Sequence, residues 1–457
     1  MTRARWLRAG LASAWLLFAV FAWWGVPNVP FHPDESTYLY MSRDFDLLVR
    51  QGDPVAVTWQ AANQPADVLR YRLLDSPLSA YLPGLGRLLS GYAETLPHDW
   101  NWTVGWDANV ALGAVPGASL LIAARWPAAV LTVLSLLPLY GIALRLGGVG
   151  TGIGAVLLYA FSGLVLLHGR RAMVEGPLLF FILATIWLIL DRRRQPLLWG
   201  CAAALAVASK LTALSLLPVL AMALLWGEPG EPGRQAGRLG WATRQRLGNI
   251  VVCAAGFFSL SWLLTPSLWA QPIAGIAAML KARQQLVTNQ TGALSAAANV
   301  QVAASLPQRL FAMLYHVYFA PPAFWDIPNY APQTAAAERR YLAVPLQVGW
   351  HTPSLSFNLI AGGIVLTLTL AGVVFCLHDL AAHRLRPAGK PTEADPNALS
   401  MLLVWSAATV SGLLLINIAW QRYYLPLLPI VCLWAAYGLL RVWEPFGEVL
   451  ARRRGRN

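Results

Sequence analysis

Stretches of about 20 apolar residues recur from one end of this 457-residue chain to the other, and no other feature constrains the fold as strongly. A helix needs a run of that length to cross the hydrocarbon core of a bilayer, about 30 Å thick. With 57% hydrophobic and only 12% charged residues, a water-soluble domain is excluded. The pattern predicts an all-α polytopic membrane protein of about 10 transmembrane helices. The first span lies around Trp15–Trp24, and others fall near 120–143, 149–167, 177–190, 249–265, 356–377, 399–418 and 424–442. Met1–Trp24 has the basic start of a signal peptide. Its apolar run is long, however, and lacks a small-residue cleavage site, so it reads as a retained helix.

The stretch Leu197–Trp226 is long for one helix and short for two, and Ser209-Lys210 interrupts it. Charge decides its path. Arg192–Arg194 before it and Arg234, Arg238, Arg244 and Arg246 after it belong on the cytoplasmic side, so the chain must return to the face it left. Two short helices with Lys210 at a buried turn satisfy this, the turn lining a cavity as such backbone requires. The polar linkers Gly227–Arg246 and His378–Asn397 and the tail Arg452–Arg456 are then cytoplasmic. On this topology the inside holds 19 Lys/Arg against 8 Asp/Glu, and the outside 15 against 13. The net charge of +13 is therefore mostly orientation, with both termini cytoplasmic in the plasma (inner) membrane, and it speaks against nucleic acid as a partner.

Two large external loops are expected, 27–117 and 266–355, both carrying interfacial helices. The first holds Arg70, Arg72, Asp75 and the tryptophans 100, 102 and 106, which suit the headgroup level. The second holds Lys281, Arg283, Arg309 and the aromatic run Tyr315–Trp325. That run reads more readily as an interfacial anchor than as the floor of a sugar or lipid site. The domain reading is a catalytic membrane module over 1–265, the second loop over 266–355, and C-terminal helices and tail over 356–457.

One polar stretch stands out, Phe31-His-Pro-Asp-Glu-Ser-Thr-Tyr-Leu-Tyr40, directly after the first span. Prolines 27, 30 and 33 end the first helix, because proline lacks a donor and clashes with the preceding turn. Ser36–Arg50 then reads as an amphipathic helix lying on the membrane surface, headed by Asp34 and Glu35. Two adjacent carboxylates beside a membrane span are costly unless they face water and serve a purpose. The plain alternative is that they offset the helix dipole.

Other charged groups fall on the same outer side: Arg170, Arg171, Glu175, Lys210 and Arg422, the last within Gln421-Arg-Tyr-Tyr424. Charges at span ends are commonly snorkelling anchors, a reading open to Arg170, Arg171 and Arg422. Lys210 in an apolar hairpin needs an anionic partner, for which Glu175 and Glu35 are candidates. Together these groups suit transfer of a sugar from a lipid phosphate. Lys210, Arg422, Arg170 and Arg171 would stabilise the leaving phosphate, and Asp34 or Glu35 would act as base toward an acceptor hydroxyl. Displacement in one step would invert the anomeric carbon. Glu175, Tyr38, His32 and Tyr423 would support this site.

The Asp34-Glu35 loop resembles the Asp-Glu motif on the first external loop of GT-C glycosyltransferases that use polyprenyl-phosphate sugar donors. The nearest likeness is to the family of protein O-mannosyltransferases and lipid A aminoarabinose transferases. Arg125-Trp-Pro-Ala-Ala129, Gly169–Phe181 and Ala206-Val-Ala-Ser-Lys210 are similar to further runs of that family, with Glu175 where Asp is more usual. The likeness covers the first half of the chain well and the second only as a hydropathy pattern ending at Arg422-Tyr-Tyr-Leu-Pro426. It implies a GT-C-type helical bundle, Asp34 as catalytic base, and a polyprenyl-phosphate sugar as donor. The acceptor implied is a lipid, glycan or protein outside the cytoplasm.

No cofactor is expected. His32, His168, His316 and His351 show no ligand spacing, and Cys201, Cys253, Cys376 and Cys432 sit unpaired in apolar spans, so no metal site or disulfide is indicated. The rival reading is a transporter or flippase of a lipid-linked or anionic solute, which broken helices and buried charges also suit. Gathering of the polar groups on one side, rather than at a midplane between repeats, argues against it.

Overall fold

The computed structural model describes residues 3–60, 62, 67–191, 195–225, 239–296, 302–385 and 395–454. Arg192–Arg194, Arg234, Arg238, parts of the two polar linkers and the last three residues lie outside them. Among the described residues the fold is all-α, with only two isolated β-bridges, Ser162 to Gly349 and Val302 to Ile418. The protein is an integral membrane protein. Five helical stretches are long and apolar enough to cross a bilayer: Ala118–Ala160, Arg244–Leu264, Leu355–His383, Pro396–Leu414 and Gln421–Trp443. A sixth results if Ser13–Asn28 and Pro33–Arg50, bent by 97° to one another, form one span. Three shorter apolar helices follow the charged patch, Glu175–Leu190, Pro196–Ser209 and Leu211–Leu225.

Within Ala118–Ala160 the chain turns at Gly147 and Gly148, where Gly148 takes a φ of 75°, a conformation costly to any residue with a Cβ. This turn falls between the spans expected near 120–143 and 149–167. The core is built by Leu428–Arg454 packing against both Leu136–Ala160 and Leu355–Leu385. Leu139, Ile142, Tyr159, Leu433 and Tyr437 are fully buried there. Leu239–Leu264 begins and Leu355–Leu385 ends inside the segments Gly227–Arg246 and His378–Asn397 that were expected to be polar linkers.

The segment 27–117, expected as the first external loop, departs from expectation in a specific way. Ser36–Arg50 is not one amphipathic surface helix but three short pieces, Pro33–Met41, Arg43–Phe45 and Asp46–Arg50. The charges meant for water are used inside the loop. Arg72 grips Asp44 with two bonds of 2.7 Å, and the fully buried Arg87 donates to Asp46 at 2.9 Å and to Ser42 at 2.8 Å. Pro33–Met41 is consequently buried almost all round. Trp100 is likewise buried, against Phe31, Trp102, Trp106 and Tyr330, so it joins the segments 27–117 and 266–355 instead of sitting among headgroups.

Candidate functional site

His32 and Pro33 set the direction of the acidic pair. Pro33 occupies the first helical position, where its fixed φ is already helical and its missing donor is no loss. The His32 ring nitrogen Nδ1 accepts the Asp34 N–H at 3.1 Å, and Glu35 Oε2 accepts the His32 N–H at 3.1 Å, a reciprocal capping box. Successive residues on a helix point about 100° apart. Glu35 therefore turns inward while Asp34 stays at the edge.

Glu35 is fully buried and fully engaged. Arg125 reaches it with two bonds of 2.7 Å, and the Ala172 N–H adds a third at 2.8 Å. The same guanidinium ties down the carbonyls of Val26 and Val29. Arg125 belongs to the Arg125–Ala129 run noted for its family likeness, but its pairing with Glu35 has no local signal, since 90 residues separate them. With no free lone pair facing an open site, Glu35 is displaced as a candidate base by this geometry.

Asp34 meets Arg422, which lies in the tight turn Gln421–Leu427 leading into the last helix. The other arm of that guanidinium forms an ion pair with Asp326 at 2.7 Å, and Asp326 stands 3.4 Å from His32 Nε2. Burial alone would raise the Asp326 carboxyl, but the Arg422 charge and the His32 contact outweigh it and hold it well below the usual carboxylate range. Sequence reasoning missed Asp326. It directly follows the aromatic run Tyr315–Trp325, and a lone acidic residue in such a run was the available signal.

Lys210 leaves the end of Pro196–Ser209 in an extended conformation, so the break in the apolar stretch falls where the sequence placed it. Its ammonium donates to Glu175 Oε1 at 3.0 Å, while Glu175 Oε2 is buried with no partner. The Lys210 ammonium also lies 4.8 Å from the centre of the Tyr423 ring, and the Arg422 guanidinium 5.6 Å from it. One aromatic ring thus separates the two cations by stacking contacts with both. Asp34, Arg422, Tyr423, Lys210 and Glu175 form a continuous chain of contacts. Tyr38 stands one turn after Asp34 on the same helix face, and His316 stacks on Tyr424, next in the chain to Tyr423, with 5.5 Å between ring centres.

Arg170 and Arg171 are elsewhere. Both are buried, which rules out the snorkelling reading. Arg170 donates to the Phe21 carbonyl at 3.2 Å and fills the space beside Gly25; a Cβ there would sit 2.3 Å from its Cζ. Arg171 donates to the Phe324 carbonyl at 2.6 Å. Arg170 is thus tied to the first helix and Arg171 to the Phe324 segment, outside the chain of contacts that runs from Asp34 to Lys210 where a donor phosphate was expected. Among the described residues no group of three or more His, Cys, Asp or Glu side chains could hold a metal ion.

Residues 114–243 match the family described as Dolichyl-phosphate-mannose-protein mannosyltransferase. The resemblance to GT-C glycosyltransferases stands. It spans the helices carrying Arg125, Glu175 and Lys210. No curated protein matches the chain. Among solved structures, the apo oligosaccharyltransferase of Archaeoglobus fulgidus aligns over 93% of this chain and 52% of its own, at 14% identity and a TM-score of 0.42. ArnT from Cupriavidus metallidurans bound to undecaprenyl phosphate aligns over 94% of this chain and 78% of its own, at 13% identity and a TM-score of 0.36. The chain spans about half the length of the archaeal enzyme.

Proposed function

We propose that this protein is an integral-membrane glycosyltransferase that moves a sugar from a polyprenyl-phosphate donor to an acceptor hydroxyl on the extracytoplasmic side, with inversion. The observation that carries this reading is the position of Arg422, bonded to Asp34 on one side and sharing the Tyr423 ring with Lys210 on the other. A base and two cations are thereby adjacent, and glycosyl transfer from a phosphate needs both. The matched family's name supports the same donor class.

In the resting arrangement Arg422 occupies Asp34. A donor phosphate arriving between Lys210 and Arg422 competes for that guanidinium arm, while Asp326 keeps hold of the other. Asp34 is then released as a carboxylate beside the anomeric carbon. It takes the acceptor hydroxyl proton as the new C–O bond forms and the bond to phosphate breaks, and the departing lipid phosphate carries its charge onto Lys210 and Arg422. No step uses a metal ion. Residues 1–265 act as the catalytic module in this reading, with Arg422 and Asp326 contributed from outside it.

Sugar transfer from a panel of radiolabelled polyprenyl-phosphate sugars tests the proposal, using purified protein and comparing wild type with Asp34→Asn. Turnover lost in the variant while donor still binds supports it. Donor bound and never turned over by wild type, but moved across a vesicle bilayer, would establish the flippase instead.

A further inference from the structure

The segment carrying Asp326 is fastened to the Arg422 turn by more than the ion pair. Gln421 accepts the Ala323 N–H at 2.6 Å and donates to the Pro321 carbonyl at 3.0 Å. Arg171 also holds the Phe324 carbonyl. Residues 321–326 and Arg422 are therefore tied together without help from the helix start that carries Asp34. Arg422 bonds to Asp34 in the resting arrangement, and this is the bond that a donor phosphate must displace. A second tie is needed if Asp34 is to stay in place once that bond opens.

His32 supplies it. Its ring is buried between the two parts, with the Tyr330 ring meeting it edge-on at 6.2 Å between centres. Nδ1 accepts the Asp34 N–H, so that nitrogen carries no proton and the neutral imidazole keeps its proton on Nε2. Nε2 faces Asp326 Oδ2 at 3.4 Å. Both atoms are buried and neither makes a hydrogen bond. A buried donor and acceptor left just beyond bonding length cost free energy. The same carboxylate oxygen is paired with Arg422 at 2.7 Å, so the guanidinium competes with His32 for it.

We infer that His32 is a positioning residue: when a donor phosphate draws Arg422 toward itself, Nε2 completes a hydrogen bond to Asp326 while Nδ1 keeps Asp34 in register. This rests on the glycosyl-transfer reading and gives its site a tie that the transfer step does not break. The proton stays on Nε2 throughout, so His32 neither gives nor takes one. Contacts that are long in a resting site and tighten in the complex behave in this way. Two variants separate the arms. Asn is among the strongest helix caps and accepts where Nδ1 does, but it is too short for Asp326. Gln places an N–H donor near the Nε2 position and gives no cap.

Histidine-¹⁵N NMR on the full chain in detergent at pH 8, with farnesyl phosphate as probe, reads the imidazole directly. Loss of its signal in His32→Asn, or in His32→Gln if the first variant does not fold, assigns it. The proton should sit on Nε2 in the free protein, and its resonance should move downfield when the phosphate binds. In transfer assays His32→Asn should melt as wild type does and lose kcat at least about tenfold, with donor KM changed less than about twofold. A merely structural role would not give that split. His32→Gln should melt lower and recover part of the lost kcat. A proton on Nδ1, a resonance unmoved by bound phosphate, or full kcat in His32→Asn overturns the proposal. If wild type transfers no sugar from any donor, the glycosyl-transfer reading fails and the spectrum alone decides whether His32 closes on Asp326. Turnover with an unmoved resonance sinks the His32 role alone.

Discussion

Asp34 and Glu35 are neighbours in the chain and are held by different arginines, Asp34 at the site's edge by Arg422 and Glu35 in the interior by Arg125. One short helix start sends the two carboxylates to unlike tasks. Asp34 is left partly open, whereas Glu35 anchors the loop that carries it.

The two positions should therefore separate on mutation. Glu35→Gln leaves Arg125 as an uncompensated buried charge and should cost about 3–5 kcal/mol, read as a large drop in melting temperature. Asp34→Asn should leave melting close to wild type and reduce sugar transfer by roughly 10²–10⁴-fold. Equal loss of stability in both would contradict the assignment.

Arg422 should not tolerate a conservative change. Lysine keeps the charge but cannot reach Asp34 and Asp326 at once, since an ammonium lacks the planar fork. Arg422→Lys is expected to lower kcat about 10²-fold, and Lys210→Met to do the same, in single-turnover assays with saturating donor. Transfer by both proteins should be unaffected by EDTA.

The acidic groups give opposite pH dependences. Asp75, ordinarily near 3.8, is raised to about 7, so between those values the folded state binds more protons than the unfolded state. Stability contributed by the neutral group is full below about pH 4 and lost as pH rises through 7. Asp75→Asn should then melt higher than wild type at pH 8, with the gap closing toward pH 4. Asp326 is held low, so its contribution is present above the normal carboxylate range and is lost as acid protonates it. Asp326→Asn should accordingly flatten the acid limb of the melting curve.

Gly25 and Arg170 should couple. Gly25→Val places atoms where the guanidinium sits and is expected to cost about 1–3 kcal/mol. Combining it with Arg170→Ala should cost less than the sum, measurable as a double-mutant cycle in thermal unfolding.

The helices were legible because their determinants are local. Runs of apolar residues, the Gly147-Gly148 turn and the break at Lys210 all declare themselves within a few positions. Lys210, Arg422 and Asp34 were also readable as expensive charges beside apolar spans. What escaped was pairing across the chain. Nothing near Glu35 shows that Arg125 will neutralise it, and nothing near Asp326 shows that Arg422 will reach it. Nor does anything near Arg170 and Arg171 show their targets, the carbonyls of Phe21 and Phe324, with the Gln347 side chain also accepting from Arg170 at 3.4 Å. The amphipathic reading of Ser36–Arg50 failed for a related reason: charges spaced for water were met by Arg72 and Arg87 from the same loop.

Pro196–Ser209 has 14 residues, a length of about 21 Å, against a hydrocarbon thickness of about 30 Å. Its end, at Lys210, falls short of the far headgroups by several ångströms. Such a shortfall is met by thinning the adjacent leaflet or by admitting water beside the protein. A long-chain lipid phosphate could then reach the two cations while its tail stays solvated by neighbouring acyl chains. The protein would lower the interface to its substrate and leave the substrate where it dissolves.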